Sequence, residues 1–202
     1  TPGSTNPLTS YKPPPMPGHF QEAPQLAKLV AEGKLPPVSQ RLPDVPAVVV
    51  PADQVGQYGG EMRKLAANVT DLQMNHRLGY EPLVRWGSDG VSLIPGVAES
   101  WEMRDGGRTF EFRLRKGMKW SDGHPFTSAD FKFTFDYIIN YEGFGMMALP
   151  WIRANNKLPT IQTPDPYTVI YTFDIPYGNF IRGVAASGLQ QSFFGPKHYL
   201  EK

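Results

Sequence analysis

The chain of 202 residues contains no cysteine, so neither a disulfide framework nor a thiolate-bound metal can hold it together. An oxidising compartment is compatible with that absence but not required by it. The chain also lacks an excess of charge of either sign: 20 Lys and Arg stand against 19 Asp and Glu, a formal net charge of +1. That balance gives no electrostatic footprint for nucleic acid, and no basic run suggests a membrane surface. No apolar run approaches the roughly 18–20 residues that a bilayer-spanning helix needs. A Gly-x-Ser-x-Gly elbow and a phosphate-cradling glycine loop are both missing, and there is no internal repeat. His19, His76, His124 and His198 are too scattered to show metal-ligand spacing. Asp122 and Asp130 fall in a turn and a helix cap, where capping suits them better than acid–base work. The expectation is a chain that is not an enzyme and needs no cofactor or metal.

Glycine (20) and proline (21) together make about a fifth of the sequence, high but short of the level of a disordered chain. Aromatics at 12% supply large buried surfaces for a strand-rich fold. Residues 1–19, with Pro13, Pro14 and Pro15, form a flexible lead unable to bury a core. Residues 20–56 hold a first helix over Glu22–Gly33, with Pro24 in its first turn and Leu26, Leu29 and Val30 as its stripe. An irregular extension follows, in which Ala47–Val50 reads as a short edge strand between prolines. From residue 57 onward the pattern is that of the main domain. Glu61–Ala67 reads as its first strand, and Tyr80–Trp86 and Val91–Ile94 as a hairpin around the turn at Gly87–Gly90.

Between Ile94 and Asn140 the local signals are densest. Val97–Met103 runs into Asp105-Gly106-Gly107, residues that tolerate the left-handed backbone of a tight turn. Thr109–Arg115 then alternates strictly, with Phe110, Phe112 and Leu114 on one face and Thr109, Glu111, Arg113 and Arg115 on the other, as in a half-buried antiparallel strand. Thr127 and Asp130 make an N-terminal capping pair for a helix over Ser128–Asn140, which carries Phe131, Phe135 and Ile138. Tyr167–Ile175 reads as a strand and Pro176–Ala186 as a short helix. Trp101 and Trp120, both in the strand pattern, read as core anchors.

Three segments in this order resemble one family's signature: Pro95-Gly96-Val97-Ala98-Glu99-Ser100-Trp101, Leu114-Arg115-Lys116-Gly117, and Asp122-Gly123-His124-Pro125-Phe126-Thr127-Ser128-Ala129-Asp130. Tyr80–Val84 and Pro196-Lys197-His198-Tyr199 extend the match. The family is the extracytoplasmic solute-binding proteins of ABC importers, family 5, the dipeptide, oligopeptide and nickel class. The resemblance implies a mixed α/β fold, the first lobe of a type II periplasmic-binding-protein arrangement, over residues 57–202. Family members are well over twice this length, so the chain is expected to be an N-terminal portion. It begins at Thr1 without a leader and is expected to be a processed or trimmed form. Thr1–Pro7 resembles the spacer behind a lipoprotein's lipidated cysteine, which makes lipid anchoring of a native precursor an open question.

What the resemblance implies for function is capture of a small solute, a peptide above all, outside the cytoplasmic membrane, and its delivery to an importer permease. A non-transport accessory subunit of a membrane complex, built on the same fold, is the alternative. Open α/β sheets place ligands at the carboxyl ends of their strands, which points to Asn68, Thr70 and Asp71 after the first main strand. Gln190, Gln191 and Ser192, ahead of the Pro-Lys-His-Tyr segment, form a second candidate. A hydrated polar loop is the competing reading for both.

Overall fold

A computed structural model describes residues 11–51, 53–61, 63, 65, 68, 81–141, 150–186 and 193–202. The elements in chain order begin with α1 (Pro24–Ala31) and α2 (Val38–Arg41) in the extension. A two-stranded ribbon of β1 (Val84–Trp86) and β2 (Leu93–Pro95) follows. After it come β3 (Ala98–Arg104), β4 (Thr109–Leu114), α3 (Ser128–Thr134), β5 (Thr160–Asp165), β6 (Thr168–Thr172), α4 (Asn179–Ala185) and α5 (Lys197–Leu200). Strands β3 to β6 form one antiparallel sheet in the order β3-β4-β6-β5.

The first helix closes as expected: Gly33 N–H reaches Val30 O and Lys34 N–H reaches Leu29 O, the paired bonds of a Schellman ending. None of its residues is buried, however, so its apolar stripe does not face a core. The turn after β3 is also as read, with Asp105, Gly106 and Gly107 all at positive φ (53°, 66° and 90°). Gly96 answers a different need. A β-carbon there would sit 2.1 Å from the Pro82 carbonyl oxygen, and the close passage lets Gly96 N–H and Ala98 N–H both bond Leu83 O.

The alternation of β4 delivers the core. Phe110, Phe112 and Leu114 are at most 1% exposed, and Val169 and Tyr171 of β6 are fully buried beside them. Phe180 of α4 closes this face, with ring centroids 5.0 Å from Phe110, 5.0 Å from Phe173 and 5.2 Å from Tyr171, near the distances at which edge-on aromatic packing is favourable. The opposite face is less open than alternation predicts. Glu111 is buried, because Arg104 and Arg113 from its own face fold over its carboxylate.

Several expectations are corrected. Ala47–Val50 is not a strand; it forms no ladder, and Val49 and Val50 are exposed. Prolines at 46 and 51 remove donors at both ends, which is how a β-prone run fails to pair. The Ser128–Asn140 helix is α only to Thr134 and continues as a π turn over Phe135–Ile139, closed by Asn140 N–H to Phe135 O at 2.9 Å. Ile139 is buried as a result, while Ile138 is half-exposed. The strand read over Tyr167–Ile175 spans only Thr168–Thr172, and its partner β5 was not anticipated, since Pro164 masks the pattern. Trp101 and Trp120 lie half-buried against the core rather than inside it. Of the strand read over Glu61–Ala67, only Glu61, Arg63 and Leu65 are among the described residues; all three are exposed and in no strand. Because the described four-stranded sheet is wholly antiparallel, it has no common carboxyl edge, and the rule for parallel sheets cannot locate a site on it.

Phe112 is fully buried between Tyr171 and Phe180, with ring centroids at 6.2 and 6.4 Å. Phe112→Ala is expected to cost about 3–5 kcal/mol in denaturant unfolding. A cost below about 1 kcal/mol would mean that this face is not the core.

Candidate functional site

Of the residues singled out from sequence, Asn68 is an exposed residue in a bend. Thr70, Asp71, Gln190, Gln191 and Ser192 lie outside the described residues. The geometry that can be built upward is at the signature segments.

The first assembly centres on Asp130, which is 3% exposed. Its Oδ2 accepts the backbone N–H of Thr127 at 2.9 Å and the indole N–H of Trp120 at 3.2 Å. Its Oδ1 accepts the backbone N–H of Lys197, the first residue of α5, at 3.0 Å. One carboxylate therefore caps α3, orients Trp120 and anchors α5. Around it, the Phe126, Phe131 and Phe194 rings pack with centroids 5.1–5.6 Å apart. Next to this cluster the turn at Asp122 meets α5 again. His198 Nε2 donates to Asp122 Oδ2 at 2.6 Å, and the His124 and His198 rings stack 3.9 Å apart at an interplanar angle of 6°. Asp122 also accepts the His124 backbone N–H at 3.0 Å. The His198 bond and this backbone bond hold the Asp122 carboxyl below the usual range. No spacing in the sequence signals that residues 124 and 198 meet.

The second assembly is a trough that sequence reasoning missed. Two adjoining hollows of about 340 Å³ each run along residues 45–50, between them, the lead segment around Tyr11–Met16 and the strands β2 and β3. Arg115 stands where the hollows join. It is 8% exposed, donating from Nε to Gly96 O at 2.7 Å and from Nη1 to Val45 O at 2.9 Å. Burial pulls its ionisation below the usual guanidinium range, opposed by the nearby Glu99, Tyr11 and Glu81. Glu81 moves the other way, raised by its own burial in spite of Arg85 and Arg115. Glu99, Ser100 and Trp101 line the trough from β3, at the point where the β3–β4 register shifts between Ala98 and Ser100. Such a bulge re-aims side chains. The only sequence signal for this place was Arg115 ending the alternating run.

The fold is that of a lobe of a periplasmic binding protein. A solved structure of oligopeptide-binding protein OppA is 40% identical to this chain with a TM-score of 0.79, over 91% of this chain and 28% of that one. Residues 92–197 match the model of the bacterial extracellular solute-binding proteins, family 5 (middle region), and the chain belongs to that family. It is similar to the periplasmic alpha-galactoside-binding protein of Rhizobium meliloti (strain 1021), at 31% identity over 166 residues, 72% of this chain and 24% of that protein. It also resembles the dipeptide-binding protein of Escherichia coli (strain K12), at 31% identity over 124 residues, 52% of this chain and 22% of that protein. The chain spans about a quarter of the length of these relatives. The family is one of solute-binding proteins rather than enzymes.

Two outcomes test the first assembly. Asp130→Ala leaves three donors without their acceptor, and each unpaired buried group costs about 1–3 kcal/mol. A loss of about 3–5 kcal/mol is expected, with Asp130→Asn less severe because one acceptor oxygen survives; equal, sub-kilocalorie losses would rule out the hub. For Asp122, whose folded pKa is lowered from 3.8, the stabilisation exists above that value and is lost as pH falls through the folded value. Thermal midpoints should therefore separate wild type from Asp122→Asn at pH 5 to 7, begin to converge as pH falls below 3.8 and meet once it is below the folded value. A gap independent of pH would show that the carboxylate charge is not what matters.

Proposed function

We propose that this chain is the solute-recognising part of an ABC importer, taking up a peptide outside the cytoplasmic membrane and presenting it to the importer's permease. The observation that carries this reading is the likeness to an oligopeptide-binding protein across 91% of the chain. The match to a dipeptide-binding protein supports the same ligand class. In this reading residues 57–202 are the first-lobe portion, preceded by the lead (1–19) and the extension (20–56). Asn68, Thr70 and Asp71 border the solute cleft, and Gln190, Gln191 and Ser192 form a second candidate segment for it. The mechanism is non-covalent: lobes close on the solute, and closure is driven by the solute's higher affinity for the closed state. An alpha-galactoside-binding relative at 31% identity is the reason a sugar must be tried beside peptides.

A cleft that buries most of a ligand derives its affinity from both walls. Losing one wall, at about 4 kcal/mol, turns a micromolar site into a nearly millimolar one. Isothermal titration of the 202-residue chain with di- to pentapeptides is therefore expected to give no dissociation constant tighter than about 0.1 mM. Micromolar binding to this chain alone would remove the two-lobe mechanism. In a chain of family length, Thr70→Ala with Asp71→Ala should weaken peptide binding without moving the unfolding midpoint. Unchanged affinity would take the site away from that segment.

A further inference from the structure

We propose that the trough along residues 45–50 receives an extended segment of a partner polypeptide, which adds as a strand between two unpaired backbones. One wall is Ala47–Val50, whose backbone N–H and C=O groups make no hydrogen bond among the described residues. The other is β3, an end strand of its sheet, laddered among the described residues only with β4 and free on its other edge beyond Ala98, whose N–H bonds Leu83 O. Unpaired strand edges are templates for another chain, and strand addition draws affinity from main-chain bonds and specificity from alternate side chains.

The trough also states what kind of segment it fits. Residues 45–50 span at most about 20 Å, room for five or six extended residues. A free di- or tripeptide would fill only half of that length. At one end Trp101, Met16 and Pro13 offer an apolar seat; at the other the cations Lys12 and Arg85 with Ser92 offer a polar one, beside Asp89, whose carboxylate already accepts the Val91 and Ser92 N–H groups. At the junction Arg115 spends Nε and Nη1 on backbone carbonyls, leaving Nη2 for an incoming acceptor. Arg85 Nε is buried without a partner among the described residues. An incoming strand with an apolar residue for Trp101 and a carboxylate two residues on, towards Arg115 and Arg85, meets both demands on one face. This inference stands apart from solute capture between lobes, since it uses neither the cleft segments nor closure.

The test is amide NMR of the isotopically labelled 202-residue protein, titrated with the capped peptide acetyl-Val-Leu-Val-Glu-Val-Thr-amide. Saturable shifts are expected at residues 47–50 and 99–101, with a dissociation constant of about 1 mM. Val49→Pro, which removes one donor from an exposed wall, and Trp101→Ala should each weaken binding about tenfold (about 1.4 kcal/mol), whereas Val55→Pro should not. The same peptide N-methylated at alternate residues should fail to bind, a control that needs no protein variant. The proposal is overturned if about 5 mM peptide moves no amide of the trough, or if the N-methylated peptide binds equally well. It is also overturned if uncapped Val-Leu produces the same shifts, which would make the trough a small-solute site. Shifts confined to Asn68 and its neighbours would likewise overturn it, reporting the cleft instead.

Discussion

The Asp130 carboxylate is the constraint on which the second half of this structure depends. Three donors converge on it from the start of α3, from Trp120 and from the start of α5. An acceptor-only group with two oxygens can satisfy all three without leaving a buried polar atom of its own idle. An isosteric amide would present a donor to at least one of them. The bond to Lys197 N–H does most of the topological work, because it ties α5 to a helix 67 residues earlier. With α5 placed, His198 meets Asp122 and stacks on His124, and Phe194 closes over Phe126 and Phe131. The ring cluster gives cohesion without direction, and the carboxylate supplies the direction.

Arg115 plays the corresponding part at the other end of the sheet. Its two donated bonds link the β2–β3 junction at Gly96 to Val45 of the extension, so an otherwise irregular segment is held in place by a cation just past the end of β4. Burying that cation is unfavourable in itself, and Glu99 and Glu81 offset the cost. The extension is thereby tethered at Val45 while the backbone of Ala47–Val50 makes no hydrogen bond among the described residues. A trough with a fixed wall follows from this anchoring, reinforced by the bond from Asp44 N–H to Lys116 O at 3.0 Å.

How much of this could be read in the sequence depends on whether a signal was local. The Phe110-Phe112-Leu114 alternation, the Asp105–Gly107 turn and the Thr127–Asp130 cap are each encoded within a few residues, and the structure shows them where they were expected. Ala47–Val50 had the composition of a strand but no partner among the described residues, and pairing is not a property of a segment alone. The strand β5 was hidden by Pro164, which an end strand tolerates because its outward N–H needs no partner. Neither the meeting of His124 with His198 nor the joining of Arg115 to Val45 has a local signature, because the first is a contact across 74 residues and the second across 70. Asn68, the described member of the candidate cleft residues, is an exposed bend residue.

The same division explains why family is easier to read than ligand. The segments that carry the family resemblance hold residues whose visible work is architectural: Gly96 permits a close passage, Arg115 ties the extension, Thr127 and Asp130 cap and anchor, and His198 pins a turn. A relative named for an alpha-galactoside and one named for dipeptides match this chain at the same 31% identity. A signature made of such residues serves any ligand alike, since every ligand needs the same rigid lobe. Selection for a particular solute must then act on side chains whose loss leaves the fold intact, and those are surface loop residues with no hydrogen-bonding duty in the scaffold. Recognition of the family and recognition of its ligand therefore draw on separate sets of residues, and a strong match in the first set carries little information about the second.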